Sequence, residues 1–396
     1  MSYLEGVEGV EGVEGVEGVE GVEGVEGVEG VGHFARMPVS SLIAHREGIV
    51  GYWVDSGSWK GTAWDSSGLD PGASGPVERW DPRIRRFVFE FELLSSLFFA
   101  FEAPKDAYGV PQPRATLYSF QPTNVPSSTA APAGTWSQFV TMARPSQSTL
   151  LKQLDLVNGY SDLRADRARE IVAQMSPQFA FWGSVVPLSP SRHRYTLELI
   201  EMVLRLAKYA EMQFKNALCV RRPHEYSPQV QPILQTPPHA SLPSGHSTEA
   251  HAVARVLYAL VSKGAAPTDW GGVVKPELLL LRQQLERQAA RIAINRTVAG
   301  LHYPIDSMAG QALGLAVGDY FVTRATGGGQ VDSWTFDGTV YPDLQDFTGF
   351  EIYDESTNGR RIPPAAYRYL AQNSAFAVNM APGLNWLWQQ AADEWP

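Results

Sequence analysis

Three segments of this chain end or begin helical patterns and carry fixed charge at those ends: KNALCVRRP (215–223), LPSGHS (242–247) and NRTVAGLHYPID (295–306). Between them they place Lys215, Arg222, Ser244, Gly245, His246, Arg296, His302 and Asp306 within one short stretch. A fold that buries the apolar faces of the adjoining helices must also bring these groups together. Three fixed cations and two imidazoles at one place require a multiply charged partner, and a tetrahedral oxyanion such as phosphate or vanadate answers that charge.

The first segment ends a helix predicted from His193 to about Leu218, where Leu197, Ile200, Leu204 and Ala207 recur at helical spacing. Lys215 and Arg222 are about two turns apart, so both face one pocket if the helix continues until Pro223 stops it. In the second segment Ser244 stands where an N-cap is expected, before the run Ala250, Val253, Ala254, Leu257, Val261. Gly245 lets a ligand approach the backbone, and free amides at a helix start donate to anions. His246 follows, placed to give or take a proton. The third segment closes a helix predicted from Pro276 to about Ala299, with Arg296 near its end, His302 in a turn and Asp306 in the first turn of the next helix. A carboxylate beside an imidazole fixes its tautomer and frees the other ring nitrogen as nucleophile or ligand. Each residue has a plainer explanation alone: helix-end cations, an ordinary serine cap, a core histidine, an acid stabilising a helix dipole. Their joint occurrence at these spacings does not.

Lys-x6-Arg-Pro, Pro-Ser-Gly-His and Arg-x5-His-x3-Asp together resemble the superfamily of type-2 phosphatidic acid phosphatases and vanadium-dependent haloperoxidases, over roughly residues 190–322. Asn295 departs from the pattern, since many members place Ser before the Arg. The resemblance implies two chemistries. In a phosphatase, with no cofactor, His302 attacks phosphorus to form a phosphohistidine, His246 protonates the leaving alcohol, and Lys215, Arg222 and Arg296 neutralise the oxygens. In a haloperoxidase the cofactor vanadate occupies the same pocket with His302 as the protein ligand to vanadium, and hydrogen peroxide and a halide are the substrates. His239, in PPHASLPSGH, bears on the choice. In the resembled bromoperoxidases a second His commonly takes this place and in chloroperoxidases a Phe does, so His239 on the halide side ranks bromide oxidation first. A loop histidine between prolines is the plain alternative. The short interval from His246 to Asn295 resembles bacterial acid phosphatases instead. A non-catalytic phosphate-binding protein stands third, having little use for two placed histidines.

The expected fold is mainly α: a helical bundle of the haloperoxidase/acid-phosphatase type, as the resemblance implies, with a loop-rich, partly β N-terminal cover read from the composition of the preceding residues. The predicted organisation is an acidic low-complexity tail at 1–39, an irregular, β-containing cover at 40–160, a helical catalytic core at 161–326 and an aromatic-rich extension at 327–396. That extension, with Trp386, Trp388 and Trp395, is expected to pack on the core or on a second subunit of a homo-oligomer. RRFVFEFEL (85–93) alternates apolar and charged residues and is predicted as a strand. Gly, Pro, Ser and Thr are dense from 105 to 137, which predicts a long loop, and a helix is predicted from Ser161 to Met175 with Asp166 and Arg169 in solvent.

Composition narrows the setting. With 396 residues, 44% hydrophobic, the chain can bury a large core. No apolar run reaches the ~18 residues of a membrane span, which disfavours the membrane-embedded lipid phosphatases. Residues 5–31 are nine EGV triplets, expected to be disordered, and they hold nine of the 42 acids. The remainder is therefore near neutral despite a net charge of −10, and nucleic acid is not an expected partner. The start has neither the basic residues nor the apolar core of a signal peptide, leaving the cytoplasm as the default expectation. Cys219, the single cysteine, excludes an intrachain disulfide and is expected to be a buried, inert thiol.

Overall fold

The computed structural model describes residues 75–123, 133–175, 178–263, 276–349, 367–370 and 375–396. The EGV triplets, Trp53, Trp59 and Trp64 lie outside them, as does most of GFEIYDEST. The chain separates into two units, residues 1–86 and 87–396. Of the first, the described part holds a helical turn (Gly75–Glu78) and the start of α1 (Pro82–Leu94), which continues into the second.

Helix α1 overturns the strand predicted at 85–93. Asp81 caps it, its side chain accepting from the Arg83 amide at 2.8 Å, and Pro82 follows at the first helical position. Phe89 and Leu93, one turn apart, are buried, whereas Phe87 and Phe91 are exposed. The alternating spelling thus concealed a period of about 3.6. Strands β1 (Leu97–Glu102), β2 (Arg114–Pro122) and β3 (Gly134–Ala143) form an antiparallel ladder, of which β2 and the start of β3 lie within 105–137.

Helices α2 (Gln147–Tyr160), α3 (Arg164–Ala173), α4 (Phe179–Gly183), α5 (Arg194–Leu218), α6 (Pro223–Tyr226), α7 (Gly245–Val261), α8 (Pro276–Val298) and α9 (Pro304–Ala325) follow. Asp166 and Arg169 on α3 are exposed. Beyond α9 come β4 (Gly328–Val331), β5 (Trp334–Asp337), β6 (Arg368–Leu370), β7 (Phe376–Asn379) and α10 (Pro382–Ala392). The fold is mainly helical, as expected. Strand β5 pairs parallel with β3, giving one sheet of order β1-β2-β3-β5-β6. Helix α2, also within the expected irregular cover, is a regular helix packed on α8 and α9.

Helix α9 is buried at every position and forms the axis of the bundle. The sheet rests on it and on α5 through ring contacts, Phe139 on Tyr320 (5.2 Å) and Phe99 on Phe214 (5.1 Å). Helix α7 crosses α9 along Gly310, Gly314 and Gly318. A Cβ at Gly314 would lie 2.3 Å from the Thr248 carbonyl oxygen, so the two backbones touch where a side chain would hold them apart.

The chain's last helix docks on this same core. The Glu394 carboxylate accepts from the Tyr195 and Thr196 amides (2.8 and 2.9 Å) at the start of α5, where a negative charge offsets the helix dipole. Trp395 stacks on His193 at 4.5 Å. Glu92 caps α10 in turn, accepting from the Gly383 and Leu384 amides.

Gly314→Ala is expected to destabilise the protein by about 1–3 kcal/mol through overpacking of the α7–α9 crossing. Gly159→Ala, at an exposed helical position with nothing within 4 Å of the added methyl, should be neutral or stabilise by roughly 0.5–1 kcal/mol. Thermal unfolding of the two variants checks the contrast.

Candidate oxyanion site

Helix α5 ends where expected, at Leu218, and does not continue to Pro223. Cys219 takes a left-handed conformation (φ 47°) and its amide bonds the Lys215 carbonyl, so the helix stops at Leu218. Arg222 therefore reaches the site from an extended segment, not from a continued helix face. This stop also turns Cys219 outward: the thiol is exposed, contrary to the expected burial, with Sγ 3.2 Å from the Asn216 carbonyl oxygen.

Lys215 is 1% exposed, and its Nζ donates to the carbonyls of Ala240 (3.4 Å), Ser241 (3.3 Å) and Pro243 (2.5 Å). Arg222, equally buried, donates from Nε to the His239 carbonyl (2.8 Å) and from Nη1 to the Leu301 carbonyl (3.2 Å). The same guanidinium touches two imidazoles, with Nη1 3.4 Å from His302 Nε2 and Nη2 3.1 Å from His239 Nδ1. The 236–243 loop is thus fastened to both cations through its carbonyls.

His302 is oriented from its other nitrogen. Nδ1 lies 3.0 Å from Asp306 Oδ2 and 3.2 Å from Ser241 Oγ, and the Ser241 hydroxyl donates to that carboxylate oxygen at 2.5 Å. Asp306 also accepts from the Tyr303 amide (3.0 Å), so one carboxylate both caps α9 and holds the imidazole. Burial, with Arg222 and Lys215 next, holds the His302 pKa well below its ordinary value. The ring is neutral, Nδ1–H faces Asp306, and the Nε2 lone pair is left toward Arg222. Burial pushes the Asp306 carboxyl up to about 6 against the lowering effect of its Ser241 and Tyr303 hydrogen bonds.

Ser244 occupies the N-cap position of α7 but makes no side-chain capping bond, and its buried Oγ has no hydrogen-bond partner. Its amide donates to the Asp306 carbonyl (2.9 Å), joining the start of α7 to the start of α9. Arg296, near the end of α8, donates from Nη2 to the Ile171 carbonyl (3.1 Å) and to Gln174 Oε1 (3.0 Å), while its buried Nε has no partner. His246 Nε2 lies 3.0 Å from the Gln174 carbonyl oxygen and 3.4 Å from Arg296 Nη1, and burial followed by the Arg296 charge keeps its pKa well down. His239 is half-buried, with its pKa lowered to about 4 by burial and then Lys215. It borders a cavity of about 370 Å³ together with Cys219, Arg222, His224 and Glu225.

Direct contacts link Arg222, His239, His302 and Asp306, while His246 and Arg296 meet each other and share Gln174. Three supporting residues gave no sequence signal. Ser241 is one serine among several, and Gln174 and Glu170 belong to a helix outside the motifs. Asn295, where a Ser is common, donates to Glu170 (2.8 Å) and Gln174 (3.0 Å) and accepts from Arg167 (3.1 Å). Its amide bridges partners that one hydroxyl proton cannot serve together.

Among the described residues no group of three or more His, Cys, Asp or Glu side chains is arranged to hold a metal ion. The residues of these segments include three buried cations, an unpartnered hydroxyl, an unpartnered guanidinium N–H and one imidazole nitrogen. That donor set suits a tetrahedral oxyanion, vanadate included, because it supplies charge and N–H or O–H groups around one nitrogen ligand. The fold is thus a helical bundle whose buried cations and donors would suit an oxyanion. The family model of the VCPO second helical-bundle domain matches residues 221–327, from the segment before Arg222 to just past α9. The match, which spans Arg222 to Asp306, supports a vanadium haloperoxidase-type family for this segment. A comparison with curated proteins finds no match. No helix among the described residues is long and apolar enough to cross a membrane.

Glu170 offers a test of the scaffold. Arg291 holds it by a paired hydrogen bond (Nη2 to Oε2 2.7 Å, Nε to Oε1 2.9 Å), and this, with Asn295, depresses the carboxyl pKa against the opposing effect of burial. Stability gained from a depressed carboxylate is present above its unfolded pKa and lost as pH falls through the folded one. Glu170→Gln should therefore lower Tm at neutral pH, with the gap to wild type closing in acid; pH-dependent melting curves measure this.

Proposed function

We propose that this protein is a vanadium-dependent haloperoxidase that oxidises halide, bromide first, with hydrogen peroxide to hypohalous acid. The observation that carries the reading is the double contact of Arg222, which touches His302 Nε2 on one side and His239 Nδ1 on the other. A second imidazole thus borders the anion site from the cavity side, as a halide-side residue must. The match of the helical-bundle segment supports the haloperoxidase/phosphatase superfamily within which this choice is made.

Lys215, Arg222 and Arg296 would hold the vanadate charge, Ser244 Oγ and the amide end of α7 at Gly245 would donate to its oxygens, and His302 Nε2 would be the protein ligand to vanadium. Bound vanadate supplies the electrophilic centre at which peroxide is activated toward halide. Asp306 and Ser241 keep the proton on His302 Nδ1, so Nε2 stays available. His246, neutral beside Arg296, is the group that gives or takes a proton at the site.

Phosphate-monoester hydrolysis is the second reading, favoured by the His302–Asp306 pair itself. A neutral imidazole with its Nδ1 proton fixed attacks phosphorus through Nε2 without a cofactor, and His246 protonates the leaving alcohol. The test divides the apo-protein into an orthovanadate-loaded half and an untreated half, both assayed for peroxide-dependent bromination and for hydrolysis of a chromogenic phosphate ester. Bromination confined to the loaded half is expected. Ester hydrolysis by the untreated half, inhibited by vanadate and without bromination, replaces this reading with the phosphatase. His302→Ala should abolish vanadate retention and turnover of either kind. His239→Ala should depress bromide oxidation while leaving any ester hydrolysis largely intact, and unchanged bromination in that variant would remove the case for a halide-side role.

A further inference from the structure

Glu211 lies one turn before Lys215 on α5, is 4% exposed, and appears in none of the roles above. Its carboxyl group fills the space beside Gly245. A Cβ built on that glycine would lie 2.6 Å from Glu211 Oε1 and 3.0 Å from Oε2, so the glycine of Pro-Ser-Gly-His leaves room for this side chain as well as for a ligand. Oε2 is buried and has no hydrogen-bond partner. A carboxyl oxygen without a partner, packed against the first residue of the helix that opens the cradle, is misplaced as an anion and well placed as an acid. Charged, it sets a second negative group against the oxyanion that Lys215, Arg222 and Arg296 are built to hold. Protonated, it brings an O–H donor to the same wall.

We propose that Glu211 is a proton-bearing positioning residue, and that the cradle takes up its oxyanion only with this carboxyl in the acid form. The proposal rests on the reading of the site as an oxyanion cradle and holds for either chemistry at that site. The groups that face Glu211 are Lys208 and Lys215 on its own helix, Arg222 beyond its end and Glu249 on α7. Burial raises the Glu211 pKa most, Glu249 adds to the rise, and the three cations oppose it. Burial conversely lowers Lys215, with Glu211 opposing. A proton on Glu211 thus leaves Lys215 free to spend its whole charge on the incoming anion instead of on a neighbouring carboxylate.

Sulfate, a tetrahedral dianion that does not titrate near neutral pH, is the probe. Calorimetric titrations of wild type and Glu211→Gln across the neutral and mildly alkaline range should show wild-type affinity falling more steeply with pH. The added slope should reach at most about tenfold per pH unit, that of one linked proton. Glu211→Gln, which keeps the shape and a donor, should bind sulfate at neutral pH within a few-fold of wild type. Superposable pH profiles for the two proteins would overturn the proposal. Proton uptake by the wild type, read from buffers of different ionisation enthalpy, serves where the variant fails to fold: uptake above neutral pH is expected, and no uptake at any pH overturns the proposal. If wild type binds neither sulfate nor orthovanadate at any pH, the oxyanion reading itself falls, and the proposal with it.

Discussion

The contact on which the site depends is the crossing of α7 and α9 along Gly310, Gly314 and Gly318. Because backbone meets backbone there, the start of α7 is brought onto the start of α9, and the Ser244 amide bonds the Asp306 carbonyl. Two helix N-termini then share one point, and each carries a part of the cradle. Lys215 ties the loop before α7 into place through three carbonyls, and Arg222 ties the same loop to the turn before α9 through His239 and Leu301. The clamp cations thus fasten the scaffold as well as facing the anion. Carbonyls, amides and side chains of four separate segments are thereby held together.

Buried cations raise an energetic question, since burying an unpaired charge is costly. The answer here is distributed. Carbonyl oxygens solvate Lys215 and Arg222, Gln174 and the Ile171 carbonyl solvate Arg296, and only a few groups, Ser244 Oγ and Arg296 Nε among them, are left without partners. Burial first, and then the concentration of positive charge, depresses the pKa values of the histidines. An anion that offsets this charge would raise them, which ties acid–base behaviour to ligand binding at this site.

The cradle was legible because its chemistry lies in local motifs at helix ends, where Pro, Gly and charged residues mark both the structure and the ligand. The helix starts at Ser244 and Pro276 could be read for the same reason. The strand expected at 85–93 failed because FVFEF satisfies both periods, and the deciding signal, Asp81–Pro82 as a helix start, lies before the alternation. Cys219 was misread as buried because a left-handed non-glycine residue leaves no composition mark. Ser241, Gln174, Glu170 and Glu211 were invisible because their roles come from distant packing. A sheet that joins residues 140–143 to 334–337 cannot be read from either strand alone.

That parallel pairing has a temporal side. Strands β1 to β3 leave the ribosome early, but β5 follows α9, so the sheet stays open until every helix of the cradle has been synthesised. The contacts among the site's elements are nearer in sequence than this strand pairing, so they close smaller loops than the clasp that the sheet lays across the chain.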